Sequence, residues 1–469
     1  MKIIYCTFLI CLSLSICKAN VVDSLPNTKK RVFILTDISN EPDDEESMVR
    51  FLVYANQFDV EGLVATTSMY LKNQVREDLI RRQIAAYAKV QPNLSKHADG
   101  FPTGAQLEAV TASGQPGYGM AAVGNDKASK GAVLLTKAIL KNDSRPLWIC
   151  GWGGVNTLAQ ALIDAKKSVS PNVFKKAISK LRVYAIADQD DAGLWIRKQF
   201  PDLFYIASPA TDYREYFRAT WTGISGDRHY ANAPLFKFNL VDNAWLRANV
   251  IDGHGPLGAL YPPYAFIMEG DTPSFLGLIN NGLGWAESPA NGGWGGRYVL
   301  FKPTGESREF WTNNQFSRDS VADGMGGTSV SDPATIWRWR EHYQHDFAAR
   351  MDWCVSDFKG ANHNPTVVLN NNRTTQIINI EARPGETITL DGAGTTDIDG
   401  NDTKISWFVY KEAGTYNGTV KLDTGNSTKC LLKVPPGQAG QTVHIIMQVK
   451  DNGTPSLYAY RRAIIKILP

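Results

Sequence analysis

The chain has 469 residues, of which 43% are hydrophobic and 20% charged, with a formal net charge of +3. At roughly 100 to 200 residues per domain, that length suits two or three domains around a large core, and the composition excludes a disordered protein. So small a charge over so long a chain supplies no field for DNA, and nucleic acid is not expected as a partner.

The stretch from Met1 to Ser24 places Lys2 before an apolar run and then small and polar residues, the pattern of a secretory signal. It is too short for a bilayer span, and no later segment is apolar for long enough to be one. Cleavage is expected near Ala19, so residues 1–19 form the leader and the mature protein is periplasmic or extracellular. Cys17 offers a lipoprotein alternative, although Ile16 stands where Gly, Ala or Ser is expected. Beyond the leader, Cys150, Cys354 and Cys430 are too widely separated for a zinc site or a disulfide framework, and buried free thiols are expected.

"RVFILT" (31–36) reads as a strand. The next segment carries Met48, Phe51, Leu52 and Ala55 at helical spacing, and "DVEGLVATTS" (59–68) reads as a strand again. Together they make a βαβ unit and hence a mostly parallel sheet flanked by helices, the α/β class. The pattern recurs at 146–165 and 181–200, with "LFYIAS" (203–208) a further strand. Ligands bind such sheets beyond the carboxyl ends of the strands, where Asp37, Ser68, Gly151 and Asp188 fall. From Trp221 to about Gly327 the alternation gives way to Gly, Pro and aromatic residues, expected as ordered loops over a site. A long amphipathic helix is expected after Asp332 and Pro333. From residue 362 onward, short alternating segments separated by turn residues predict a small all-β, immunoglobulin-like sandwich. The expected domains are therefore 30–361 and 362–469.

In "ILTDISNEPDDEES" (34–47), Asp43 with Glu46 three residues later looks like a capping box, and Glu45 suits the positive end of a helix. Capping does not account for Asp37, which ends a buried strand where an unpaired carboxylate is costly. Asp37, Asp43 and Asp44 within one strand-to-helix turn fit a hard cation such as calcium, which takes oxygen ligands.

This turn resembles that of the nucleoside hydrolase superfamily, in which a strand ending in Asp leads to a pair of Asp residues at the first helix. The resemblance implies calcium, with Asp37 as metal ligand and water-activating base, Asp43 as a contact to sugar hydroxyls and Asp44 as a bidentate ligand. The turn is two residues longer here than usual in that superfamily. "CGWGGVNTLAQAL" (150–162) is similar to the glycine-rich turn whose backbone carbonyl completes the metal shell, which by position belongs to Gly151 or a neighbour. Asn156 would then lie in the turn or the helix start, where simple capping is the alternative. "HGPLGALYP" (254–262) resembles the His-Asp-Pro-Leu segment and implies His254 as proton donor. Gly255 replaces the metal-binding Asp, so Asp252, Glu269 or Asp271 would have to substitute. The Asn expected after the second strand is absent, with Ser68 and Met69 there instead, which argues against ribose. The likeness is nearest to a secreted bacterial branch with a nucleoside-hydrolase-like domain and a C-terminal immunoglobulin-like sandwich, commonly labelled cellulose-binding proteins.

Asp188 is expected to face the pocket and Asp190 to cap the helix that follows. Trp152, like Trp195, Trp285 and Trp294, could stack on a sugar ring, although each taken alone suits a core better. Glu269, Asp271 and Glu287 are candidates for the paired carboxyls of glycoside cleavage. His342 and His345 suit a solvated or packed helix face. Asp397, Asp399 and Asn401 suit a surface turn, with a structural calcium as the alternative. The expected function is an exported hydrolase of glycosidic bonds acting on a glycan fragment or a nucleoside-like compound. A non-catalytic carbohydrate-binding protein on the same fold is the alternative, and the sequence indicates no oligomeric state.

Overall fold

A computed structural model describes residues 29–469 except 40, 209–212, 226–235, 266, 325 and 426. The expected leader lies outside the described residues.

The main sheet contains β1 (Lys30–Thr36), β2 (Phe58–Ala65), β3 (Thr111–Ser113), β4 (Leu147–Gly151), β5 (Leu181–Ala185), β6 (Phe204–Ala207), β7 (Val299–Phe301) and β8 (Phe310–Thr312). Their order is β3-β2-β1-β4-β5-β6-β8-β7, parallel throughout except for β7 against β8. Val32 to Leu35 are 0% exposed, as an uninterrupted apolar run requires when helices cover both faces of a strand.

The intervening helices are α1 (Pro42–Val53), α2 (Glu77–His97), α3 (Gly104–Ala109), α4 (Lys130–Leu140), α5 (Asn156–Ser168), α6 (Pro171–Ser179) and α7 (Ala192–Gln199). Val32 and Ile34 pack with Phe51 and Leu52 of α1 and Ile84 of α2. The alternate residues Phe33 and Leu35 pack with Leu135 of α4, Leu158 and Leu162 of α5 and Ile196 of α7. β1 pairs with β2 on one edge and with β4 on the other, so the winding reverses there and leaves a crevice at the carboxyl ends of β1 and β4.

Beyond β8, β9 (Asp319–Ala322) and β10 (Thr328–Ser331) form a hairpin. The long helix expected next is divided into a turn at Ala334–Trp337 and a helix at Arg340–Trp353.

The C-terminal region pairs one sheet, β11 (Ile378–Ala382), β17 (Tyr458–Ile467), β16 (Thr442–Asp451) and β13 (Thr403–Val409), with another, β12 (Thr387–Asp391), β15 (Lys429–Lys433) and β14 (Leu422–Asp423). Its strands are antiparallel apart from β11, which runs parallel to β17. Leu390, Leu432, Ile445, Met447 and Ile465 fill the space between the sheets. The sandwich docks on the Arg340–Trp353 helix, where His342 stacks on Tyr458 with ring centroids 3.7 Å apart. His342 thus belongs to a packed helix face. Cys150, Cys354 and Cys430 are buried and unpaired. Among the described residues, no helix is long and apolar enough to cross a membrane.

Candidate active site

Asp37 directly follows β1. The turn after β4 folds over it, with Trp152 N–H donating to Leu35 O at 2.7 Å. A Cβ on Gly153 would lie 2.5 Å from Asp37 Oδ1, so only a glycine lets this turn approach the carboxylate so closely. Asp43 and Asp44 occupy the first turn of α1, set in place by Pro42, and Thr36 Oγ1 donates to Asp44 Oδ1. The capping box suggested by Asp43 and Glu46 does not form. Glu46 instead accepts the backbone N–H of Glu269 at 2.8 Å, and the N-cap residue Glu41 makes no side-chain capping bond.

That contact brings in a segment from far along the chain. Glu269 is held by Arg50 at 3.0 Å, Tyr261 at 2.7 Å and Thr272 at 2.9 Å, and two residues later Asp271 enters the site. Oxygens of Asp43, Asp44 and Asp271 lie within 4.8 Å of one another. These groups are 8%, 4% and 1% exposed, and Asp37 is 3% exposed. Gly270 permits the convergence, since a Cβ there would lie 2.8 Å from Asp43 Oδ2 and 2.9 Å from the Trp221 ring.

Burial pushes the Asp37 carboxyl up to about 7, assisted by the charges of Glu41 and Asp190 and opposed by a hydrogen bond with Ser68. Burial and the charges of Glu41 and Asp37 push Asp43 up to about 8. Asp44 and Asp271 are also raised well above the usual carboxylate range, by burial first and then by their acidic neighbours. No cationic side chain ranks among the leading causes at these positions, and Asp271 Oδ2 is buried without a hydrogen-bond partner. An orphaned oxygen within an all-oxygen donor set fits a hard divalent cation such as calcium.

The other residues singled out from the sequence fall as follows. The Gly151 carbonyl accepts Ile186 N–H at 3.0 Å, so it is used within the sheet, and Gly153 is the glycine that meets Asp37. Trp152 is not a sugar platform, because it is 0% exposed, packs beside Phe51 and Phe275 and donates its indole N–H to Ser274 Oγ at 2.9 Å. Asn156 begins α5 and ties down the neighbouring loop through Gly117 O at 2.8 Å, while its Oδ1 is unpartnered.

Asp188, expected in the pocket, is instead gripped by Arg197 at 2.9 and 2.6 Å, and Arg197 also reaches Glu306. Asp190 accepts N–H groups of Asn156 and Ala192, each at 3.0 Å, so it caps two helix starts while its charge bears on Asp37. Glu269 is consumed by Arg50 and its other partners and orients the loop rather than a ligand. His254 does not join the carboxylates. Its Nε2 lies 3.2 Å from Asp352 Oδ1, and Asp352 lies beyond Asp346, the partner of Tyr54 just past the far end of α1. The short helix that His254 begins packs on α2, which carries it away from the crevice. Of the three substitutes considered for Gly255, Asp271 is the one that joins Asp43 and Asp44, while Thr36, Glu46 and Gly153 had no local sequence signal beyond the glycine-rich turn.

Residues 31–298 match the family described as cellulose-binding Sde182, nucleoside hydrolase-like domain, and residues 387–467 match the C-terminal domain of cellulose-binding protein Sde0182. A solved structure, described as a nucleoside hydrolase-related hypothetical protein from Saccharophagus degradans associated with carbohydrate metabolism, is similar at a TM-score of 0.79. The two share 36% identity over 94% of this chain and 100% of that one. The effector protein XOO4466 is 13% identical over 71% of this chain and 95% of its own, at a TM-score of 0.31 that supports no inference. No curated protein matches the chain. With its central sheet, its sandwich and a family match over residues 31–298, the chain belongs to the Sde182 family of nucleoside-hydrolase-like proteins.

Proposed function

We propose that the crevice is a calcium-dependent hydrolytic site for a glycosidic bond in a carbohydrate, on a protein exported from the cytoplasm. The observation that carries this reading is the convergence of Asp37, Asp43, Asp44 and Asp271, buried and raised together, at the switch point of the sheet. Asp44 and Asp271, with Asp37 and Asp43 beside them, are the residues that would hold the ion. Once bound, calcium supplies positive charge that acidifies a water and grips sugar hydroxyls. Asp37 is the base that takes the proton of the attacking water, because bound calcium would keep its carboxyl ionised among the neighbouring acids. Asp43, in the first turn of α1, orients the sugar by accepting hydroxyl hydrogens. Thr36 and the Arg50–Glu269 pair hold the set rigid, so the acids need no reorganisation when a substrate arrives.

A second reading, a carbohydrate-binding protein without turnover, is favoured by the position of His254 against Asp352, which leaves the crevice without the imidazole acid that the sequence suggests. One experiment separates the two. Purified protein is incubated with neutral oligosaccharides and with nucleosides, with and without a chelator, alongside Asp44→Asn and Asp271→Asn. Release of reducing sugar that requires calcium and is lost in both variants is the expected result. Glycan binding without release under any condition would establish the second reading.

A further inference from the structure

The acidic turn at 397–401 meets the end of β16 and the linker between the domains. Asp397 Oδ1 accepts the N–H groups of Asp399 at 2.9 Å and Asn401 at 3.2 Å. Asp399 itself is taken by His363 at 2.9 Å. Asp451, the last residue of β16, accepts three hydrogens on Oδ1, from Asn362 Nδ2 at 3.1 Å, Gly453 N–H at 3.0 Å and Leu457 N–H at 2.9 Å. Asn362 joins the two segments, because its Oδ1 also accepts Asn401 Nδ2–H at 2.8 Å. It belongs to the linker, where its carbonyl accepts the indole N–H of Trp353 at 2.9 Å. A Cβ on Gly453 would lie 2.2 Å from Asn362 Nδ2, so only a glycine there lets the amide insert.

One oxygen of each acid is left over. Asp397 Oδ2 and Asp451 Oδ2 are both buried without a partner, and Asp451 is 3% exposed. Burial raises the Asp451 carboxyl above its ordinary range and the charge of Asp397 adds to the rise, so the two groups are close enough to repel. No cationic side chain ranks among the leading causes. Two buried negative charges left in this state would be costly. A space closed to water still admits a bare ion, because calcium–oxygen contacts of about 2.3–2.6 Å are shorter than hydrogen bonds of about 2.7–3.2 Å. One divalent ion also matches the summed charge of two carboxylates.

We infer that Asp397 Oδ2 and Asp451 Oδ2, with the Asn362 amide oxygen beside them, anchor a structural calcium ion that clamps the acidic turn and β16 to the linker between the domains. This site shares no residue with the crevice, so either can fail without the other.

The test is calorimetric titration of the decalcified full chain with calcium, carried to about 10 mM because extracellular calcium modules bind at about 10⁻⁴–10⁻³ M. Asp44→Asn/Asp271→Asn, which disables the crevice, is compared with the same variant carrying Asp397→Asn or Asp451→Asn as well. Both further changes are isosteric and keep an oxygen for the N–H donors, so the fold should hold. The expected result is that the crevice variant still binds one equivalent of calcium, and that its sandwich melts at a higher temperature in calcium than in chelator. Both effects should disappear on either further substitution. A crevice variant that binds no calcium would overturn the inference; if Asp451→Asn then melts no lower than its parent in chelator, the two acids share a proton instead. Calcium binding that survives both further substitutions would also overturn it. One equivalent bound by wild type and crevice variant alike would support this site and sink the calcium reading of the crevice.

Discussion

Arg50 of α1 and Glu269, 219 residues further along the chain, form an ion pair with neither side chain exposed to solvent, joined by Nη2 to Oε1 at 3.0 Å. Around it, Gln344 and the Tyr343 carbonyl each accept a further guanidinium hydrogen, and Tyr261 and Thr272 donate to the carboxylate. The pair fixes the loop that delivers Asp271 without itself entering the crevice.

Removing one partner from such a pair leaves a buried charge with nothing to balance it, at a cost of about 3–5 kcal/mol. Glu269→Ala should therefore lower the unfolding free energy of the main domain, read from urea titration, by that amount and weaken calcium binding through displacement of Asp271. A loss under about 1 kcal/mol would show that Arg50 finds other compensation, and that the pair does not anchor the loop.

The carboxylates also make stability depend on pH in an identifiable direction. Asp37 and Asp43 are raised from 3.8 to about 7 and about 8, so the metal-free native state holds protons that the unfolded chain has already released. Their contribution is complete below pH 3.8 and is lost as pH rises through 7 and 8. Asp143 and Glu341, held down by arginine and lysine partners, act in the opposite direction in more acid solution, and the buried His342 and His444, lowered from 6.5 to about 3, do so as the unfolded chain releases its histidine protons near pH 6.5, so the window from about pH 7 to 8 reports on the crevice. Melting curves in chelator should fall across that window. Calcium at 100 times its dissociation constant should restore about 2.7 kcal/mol at the alkaline end and less at pH 5, where protons compete for the same oxygens. A flat profile in chelator would mean that the acids are not shielded from water as the structure has them.

Much of this was legible in the sequence, for reasons of distance along the chain. The buried run of β1, the turn carrying Asp37, Asp43 and Asp44, and the alternation of the sandwich strands are local patterns, because the pleat and the first helical turn are set by adjacent residues. Asp271 could be read only as one of several substitutes for Gly255, because its selection depends on the partners of Glu269 in α1. Asp190 caps the following helix as expected, but it, and not Asp188, is the acid whose charge reaches Asp37. Both flank the same turn, and which one turns inward is decided by Arg197, in a helix that the sequence does not orient. The capping box failed because a long-range acceptor was needed for Glu269 N–H, and Glu46 was drawn to it. Trp152 lies within a glycine-rich turn, and only the packing of Phe51 and Phe275 shows that its ring faces inward.

The close approach of Gly153 to Asp37 gives a test at a position that bears no charge. An added methyl would sit 2.5 Å from Oδ1 and 2.7 Å from Cγ, so either the carboxylate or the turn must move. Overpacking of this kind costs about 1–3 kcal/mol, but the larger effect of Gly153→Ala should be functional, with calcium binding and turnover falling about tenfold or more. His254→Ala is the contrast, since His254 is engaged with Asp352, and both properties should stay within about twofold of wild type. If the order of the two effects were reversed, the imidazole would return to the reaction and the crevice geometry would be wrong.

A last prediction concerns the joint between domains, where His97 Nδ1 faces His363 Nε2 at 3.0 Å. His97 Nε2 lies 2.9 Å from Ser356 O and must carry a hydrogen, and His363 Nδ1 lies 2.9 and 3.0 Å from the Asp399 carboxylate and must carry one as well. In neutral rings the two nitrogens left facing each other would both be lone pairs, so this contact requires a third proton between them. The added charge belongs to the pair of rings, with Asp399 beside His363, which stacks on Phe358 with centroids 4.0 Å apart. The turn that carries Asp399 thereby acts as the counter-ion that seals the sandwich to α2. Asp399→Ala should cost about 2 kcal/mol, the value of a hydrogen bond to a charged group, and should bring forward the calorimetric unfolding of the sandwich relative to the main domain. Nitrogen chemical shifts of the two imidazoles should report three ring protons in the wild type and two in the variant. Two in both would show that the rings turn away from each other in solution and that the sandwich is held by its aromatic contacts alone.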